Sequence, residues 1–302
     1  MEGNGFVTQD PNELTRTLQN LNLMNDEIGT VMDFESLYPS INLTSCFKEL
    51  IEFLIQQNQE VEKFMENLQN LADLICFHSF FKFNGVIYKQ KNGVAMGSPT
   101  SGFLCELVIR KLEKNIIEDF ADGIVIYKRY VDDVLIIWKD DQRINDFLTA
   151  INDNEHGLKL KLEQKSQRNI HFLDINMEFK LRNIQTTVYW KPTHAPLYIP
   201  ACLKDPFKYK LSAFKALIKR AFLYCTDVLD RDKEINRIQK VAKNLGYKMS
   251  TIKSLIKSYS KQKGTTATNN GTTTFNKFTY NEQTRKVVKE LGKYKNTNII
   301  YK

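Results

Sequence analysis

The first sustained apolar run, residues 28–34 ("IGTVMDF"), has the length of a strand buried on both faces, and it closes on an aspartate and an aromatic. Residues 1–27 before it are polar and read as helix or loop. From 45 to 81 apolar residues return at helical spacing: Phe47, Leu50, Ile51 and Leu54, then Val61, Phe64, Met65, Leu68, Leu71, Leu74 and Ile75. The polar "QQNQE" at 56–60 predicts a loop between two helices. "GVIYKQKNG" (85–93) reads as a strand or hairpin. Residues 100–120 read as a helix with Leu104, Leu107, Val108, Leu112 and Ile116 on one face.

Two β-rich runs follow, 124–127 and 134–138, around a polar centre, and they predict a hairpin. A helix is expected at 144–151, and short strands near 158–162, 171–179 and 185–190. Strands alternating with helices predict an α+β fold, an antiparallel sheet with helices packed on one side. Beyond Pro206 the period changes. Phe207, Leu211, Phe214, Leu217, Ile218 and Phe222 form one stripe, which leaves Lys208, Lys215 and Lys219 on the other side. Ile235, Ile238, Val241 and Leu245 mark a second helix, stopped by Gly246. Ser250 can cap a third, with Ile252, Leu255, Ile256 and Tyr259. "KGTTATNNGTTTFNK" (263–277) has the composition of a linker. The expected organisation is an N-terminal segment (1–27), an α+β domain (28–200), an all-α basic unit (201–262), the linker (263–277) and a basic tail (278–302).

Charge sharpens this division. Residues 1–200 carry 20 Lys+Arg against 28 Asp+Glu, while residues 201–302 carry 23 against 7. A cationic unit joined to an acidic one suits a polyphosphate partner beside a site that collects cations; lysines that merely solubilise helices are the plainer reading of charge alone. No apolar run approaches the ~20 residues of a membrane span, and the N-terminus has no secretory pattern. The five scattered cysteines include no C-x-x-C. A reduced intracellular setting without zinc, membrane or secretion is expected.

The candidate chemistry sits where apolar runs meet acids. Asp33 ends the first run, and Asp132 and Asp133 occupy the centre of the predicted hairpin. Singly, each reads as well as a strand-end cap or a solvated turn. Together, two adjacent acids flanked by "IVIY" and "VLIIW" are costly unless cations compensate them. Carboxylates converging from strand ends are the ligands Mg²⁺ accepts, and nucleotidyl transfer uses two such ions about 4 Å apart. Asp33, Asp132 and Asp133, with the Phe34 carbonyl, are the candidate metal ligands. Tyr38, five residues beyond Asp33, could fill the space a ribose 2′-hydroxyl needs, or be an ordinary core tyrosine. In "QKNGVAMGSPTSG" (90–102) the glycines permit close backbone approach, and Ser98, Thr100 or Ser101 can cap the following helix.

In this order, Asp-x4-Tyr, the Gly/Ser loop and Tyr-x-Asp-Asp resemble motifs A, B and C of a polymerase palm, specifically that of a reverse transcriptase. B-family DNA polymerases share "DFESLYPSI", but their lysine-bearing helix before a Tyr-Gly pair and their "YGDTDS" are not found here. "SLYPSI", "NGVAMGSPTS", "RYVDDVLI" and "HFLDINMEF…TTVYWKPTHAPLY" resemble the reverse transcriptases of Penelope-like retroelements, relatives of telomerase catalytic subunits, over about residues 25–260. The resemblance implies a palm followed by a basic helical thumb, acting as an RNA-directed DNA polymerase. Asp33 and Asp132, with Asp133, would hold two Mg²⁺, or Mn²⁺ in their place. Tyr38 would be the sugar gate. Gln90, Gly97 and Ser98 would lie beside the template and incoming nucleotide, and Tyr189, Trp190 and Lys191 would grip the primer. Lys208, Lys215 and Lys219 would meet the nucleic-acid backbone. The implied partners are an RNA template, a DNA primer or RNA–DNA hybrid, dNTPs and an endonuclease; the implied location is the nucleus. Lys161 or Lys165 could donate a proton to pyrophosphate, a solvated strand edge being the plainer reading. The chain departs from the family at Ala95, where proline is common, and at Trp190, where arginine is usual. Arg16 is the one basic residue before Asp33, so the fingers subdomain is expected to be largely missing. The alternative reading is a truncated palm–thumb that binds hybrid without catalysis.

Overall fold

The computed structural model describes residues 6–8, 10–24, 27–57, 65–193, 195 and 197–266, the side chains of 261–266 excepted. Val61, Phe64, the end of the "QQNQE" loop, the linker beyond 266 and the tail 278–302 lie outside them. The chain divides into two compact units, 1–253 and 254–302.

Strand β1 (Ile28–Phe34) lies inside a four-stranded antiparallel sheet. Its neighbours are β5 (Asp133–Trp138) on one side and β6 (Leu160–Ser166) on the other, with β4 (Ile124–Tyr130) outside β5. The unbroken apolar runs of β1 and β5 have a direct cause, since both faces of the sheet are covered. Met32, Phe34, Val134, Ile136 and Trp138 join one core cluster with buried residues of α3 (Leu43–Gln57), α4 (Met65–Phe77), α5 (Ser101–Phe120) and α6 (Ile144–Asn152). Val31, Leu135 and Ile137 turn to the opposite face. There they meet Leu14 and Leu18 of α1 (Pro11–Gln19) and a second sheet, β7 (Asn169–Phe172), β8 (Ile175–Phe179) and β9 (Ile184–Val188). The expectation of helices on a single side is corrected: α1 and the small sheet close the other side.

Two further expectations change for local reasons. Residues 171–179 do not form one strand. Phe172 and Ile175, three positions apart, are buried in the same cluster, whereas a single strand would point them to opposite faces. The chain turns between them at Leu173 (φ +54°), giving β7 and β8. Phe80 and Phe81 are not helical either. β2 (Phe80–Phe83) pairs with β3 (Val86–Lys89) across Asn84-Gly85, both in the left-handed region at φ +47° and +82°, which is a type I′ hairpin turn.

Capping explains several helix starts. The Asp10 carboxylate accepts from the N–H groups of Asn12 (2.7 Å) and Glu13 (2.8 Å), with Pro11 at the first helical position. Asp227 does the same for α8 (Val228–Asn244) at the Leu229 N–H (2.7 Å). The last described helix, α9, spans Met249–Thr266, so Ser250 lies inside it and is not its cap. In α7 (Phe207–Tyr224) the predicted stripe is buried from Leu211 to Phe222, but Phe207 is 60% exposed. All five cysteines are free thiols. Among the described residues no helix is long and apolar enough to cross a membrane.

Candidate active site

The sheet register brings the two acidic motifs together. β1 and β5 pair so that Asp33 stands opposite Asp133, and the Phe34 N–H donates to the Asp132 carbonyl at 3.0 Å. Asp132 therefore sits in the β4–β5 turn, directly beside the end of β1. Tyr130 and Asp133 are paired, leaving Val131 and Asp132 as a two-residue loop. Val131 has φ +58°, a conformation that a β-branched residue adopts only under strain.

Both paired carboxyls feel the crowding. Burial first, then the charges of Asp132, Asp33 and Glu163, push the Asp133 carboxyl up to about 6, against the pull of Lys191. Asp33 is also raised, by burial foremost and then by Asp132, Glu163 and Glu35. This donor set fits a hard divalent cation: oxygen donors only, crowded with like charge. As the side chains stand, no group of three or more His, Cys, Asp or Glu among the described residues is disposed to hold an ion. What the backbone supplies is the pair Asp33–Asp133 in register, with Asp132 at the adjoining turn.

Tyr38 lies on the short helix α2 (Leu37–Ser40), which follows Ser36 in the left-handed region (φ +49°). It is half-buried, its hydroxyl pKa is raised by burial and then by Cys105 and Asp132, and the hydroxyl lies 3.7 Å from where a Cβ at Gly102 of α5 would stand. The loop before α5 is fastened to this helix. The Val94 N–H donates to the Tyr38 carbonyl at 2.8 Å. Gly93, at φ +67°, is pressed so close that a Cβ there would stand 2.3 Å from that same carbonyl oxygen. Further along, the Ser101 hydroxyl donates to the Ala95 carbonyl (2.5 Å), and Ser98 Oγ and Thr100 Oγ1 lie 2.9 Å apart. Thr100 makes no side-chain cap to α5. A Cβ at Gly97 would meet nothing within 4 Å, so packing within the chain does not require glycine there. Gln90 is turned back on its own loop, its amide donating to the Asn92 carbonyl at 2.9 Å.

The other expected residues divide. Tyr189 stacks on His171 (centroids 3.9 Å apart, 15° between planes). With Lys191, Asp133, Glu163 and Gln164 they line a cleft of about 280 Å³. Trp190 points away from this cleft, to the helices. Its indole N–H donates to Glu234 Oε1 (2.9 Å), and Arg237 and Arg220 lie over its ring at 4.2 and 5.7 Å. Burial raises the Glu234 carboxyl against the pull of Trp190 and the two arginines. Arg220 also pairs with Asp174 (3.2 Å), tying α7 to the β7–β8 turn. On β6, Lys161 is the register partner of Asp33 and pairs with Glu35 (3.3 Å), while Lys165 lies opposite Thr30 and pairs with Asp141 (3.2 Å). Lys208, Lys215 and Lys219 are all exposed on α7.

Sequence reasoning missed a buried ionic cluster behind the turn. Arg129 is fully buried and meets Glu106 and Glu113 of α5, the latter also accepting from the Tyr127 hydroxyl (2.8 Å). The signal was present: one arginine inside a strand, and two glutamates seven residues apart on a largely apolar helix. His171 and Glu163 were missed as well: His171 comes to the cleft on β7, ahead of the turn at Leu173, and Glu163 on β6, beyond the strand expected at 158–162.

The pattern of the family described as "Reverse transcriptase (RNA-dependent DNA polymerase)" matches residues 5–189, which include every one of these motifs up to Tyr189. The chain belongs to the reverse transcriptase family. Its fold is an antiparallel palm-type sheet with a helical C-terminal part. Residues 197–257 are similar to an animal helix-turn-helix domain. No curated protein matches the chain. Among solved structures, it is similar to a telomerase from Candida albicans, in complex with a fragment of telomeric RNA, at 12% identity and a TM-score of 0.57. The match covers 83% of this chain and 44% of that one. A telomerase from Candida tropicalis with the corresponding RNA fragment gives 14% identity, a TM-score of 0.50, and coverage of 85% and 44%. These likenesses concern the fold. The reverse transcriptase chain spans less than half the length of the telomerases it matches.

Proposed function

We propose that this chain is the palm (28–200) and thumb (201–262) of an RNA-directed DNA polymerase from a Penelope-like retroelement. The observation that carries the reading is the register of Asp33 against Asp133, with Asp132 at the adjoining turn, in a reverse transcriptase domain. The Penelope-like assignment is supported by "SLYPSI", which forms the α2 turn under the loop 90–97, and by "YWKPTH" after β9. Two Mg²⁺ ions, or Mn²⁺, would be held by Asp33, Asp132 and Asp133 with the Phe34 carbonyl; bound there they would activate a primer 3′-hydroxyl and carry the dNTP triphosphate.

The residues of the chain itself would orient and exclude. The Tyr38 ring, held between α2 and α5, would deny room to a ribose 2′-hydroxyl. The open space at Gly97 suits a nucleotide approaching the backbone, with Ser98 and Gln90 beside it. Tyr189 and Lys191 line the cleft that includes Asp133, where a primer terminus would lie. Trp190 serves the same segment from behind, by anchoring it to α7 and α8. The exposed Lys208, Lys215 and Lys219 would follow the phosphates of an RNA–DNA hybrid. An RNA template is the proposed partner, in keeping with the RNA in the telomerases of like fold; an endonuclease partner and a nuclear location belong to the same proposal.

Primer extension on a poly(rA)–oligo(dT) duplex tests this. Extension with dTTP and Mg²⁺ or Mn²⁺ is expected, and Asp132→Asn should abolish it while duplex binding persists. Binding without extension, unchanged by that substitution, would contradict catalysis and leave a hybrid-binding protein.

A further inference from the structure

The Val131–Asp132 loop carries strain with no glycine to relieve it. Two-residue hairpin loops with φ above zero at the first position favour glycine, and a β-branched residue is strained there. Something must hold the turn in that shape. The Arg129 guanidinium lies directly under it. One Nη1–H donates to the Val131 carbonyl at 3.0 Å and the other to Glu106 Oε2 at 2.9 Å. Nη2 donates to Glu106 Oε1 (3.2 Å) and Glu113 Oε2 (3.1 Å), and Nε to Glu113 Oε1 (2.6 Å). All five donors of the fork are thus used in a fully buried position. The main chain is fixed too: the Arg129 N–H donates to the Phe6 carbonyl (2.8 Å), and its carbonyl accepts from Thr8 (2.9 Å). Both glutamates project from α5, the helix that leaves the Gly/Ser loop.

We propose that Arg129, clamped by Glu106 and Glu113, is a positioning residue that holds Val131 in the left-handed conformation and so sets Asp132 and Asp133 against Asp33. It touches neither substrate nor metal; it acts through the turn. The proposal rests on the polymerase reading for its catalytic consequence, but its structural half stands alone. A lysine keeps the charge and loses the planar five-donor fork, so it cannot span both glutamates and the carbonyl.

The test compares wild type, Arg129→Lys, Val131→Gly and the double variant. Arg129→Lys should lower the primer-extension kcat by about 10- to 100-fold, as losses of groups that orient metal ligands do, with little change in KM for dNTP. Val131→Gly in that background should restore most of the loss, because glycine needs no clamp. Alongside, hydrogen exchange at the Phe34 amide, which reports its bond to the Asp132 carbonyl, should quicken in Arg129→Lys and slow again in the double variant, with β1 amides remote from the turn unchanged. Uniform quickening over β1 and β5 without rescue by Val131→Gly would overturn the proposal, as would an Arg129→Lys variant with wild-type exchange. If the wild type itself shows no extension, the polymerase reading fails, and the exchange data still decide the clamp.

Discussion

Gly93 shows how one residue joins two motifs. Its φ of +67° and the 2.3 Å approach to the Tyr38 carbonyl leave no room for a side chain. Gly93→Ala is expected to lower stability by at least roughly 1–3 kcal/mol, the cost of the backbone strain before any clash is added. Urea unfolding would measure it, and Gly97→Ala, which meets open space, should unfold close to wild type. The sequence pointed to both glycines as places of close approach. It could not say which one the chain itself needs, because that depends on α2 passing beneath the loop. Trp190 is similar. Its position before Lys191 suggested the primer, but Glu234, Arg220 and Arg237 come from helices 30 to 47 residues away in sequence. Trp190→Ala should cost roughly 2–4 kcal/mol, since it leaves a half-buried carboxylate short of a donor as well as a gap. Unchanged stability with weakened primer binding would return Trp190 to the primer.

Elements were legible wherever period and length agreed. β1 was read to the residue, α5 to within one, and the β4–β5 hairpin around its acids. Their apolar runs are dictated by burial on both faces of the sheet. Failures came at turns. Asn84-Gly85 is a strong hairpin signal, yet the helical stripe through Ile75 masked it. The β7–β8 turn has no glycine at all, only Leu173 forced into the left-handed region, so nothing local announced it. The buried cluster of Arg129, Glu106 and Glu113 belongs to this scale as well, since it couples β4 to α5. Burial raises the Glu106 pKa, but hydrogen bonds from Arg129 and Arg110 outweigh it, and the net shift is downward. A carboxyl lowered on folding adds stability that is fully present above its unfolded pKa, about 4.3, and is lost as pH falls through the lower folded value. The stability gap between wild type and Glu106→Gln should therefore narrow as the pH drops below that range in acid-unfolding titrations. A gap that stays constant would show that the Glu106 charge contributes nothing.

At the scale of the whole molecule, the division of charge is the plainest feature. An acidic part carries the site and a cationic part follows it, with Lys208, Lys215 and Lys219 exposed on α7. Composition alone suggested this, while the closing of the second sheet face by α1 and β7–β9 was not legible. It depends on residues 11–19 and 169–188 meeting β1 and β5, a contact between distant stretches that no local period encodes. That second layer brings His171, Tyr189 and Lys191 to Asp133, beside Glu163 of the first sheet. The reading of this molecule as a polymerase rests on one claim, that Asp33, Asp132 and Asp133 form a single cation site. Mn²⁺ binding followed by electron paramagnetic resonance tests it without requiring turnover. The wild type should bind Mn²⁺ near neutral pH, and Asp33→Asn and Asp133→Asn, on separate strands, should each lose most of that affinity while remaining folded. Equal Mn²⁺ binding by the wild type and both variants would contradict the claim.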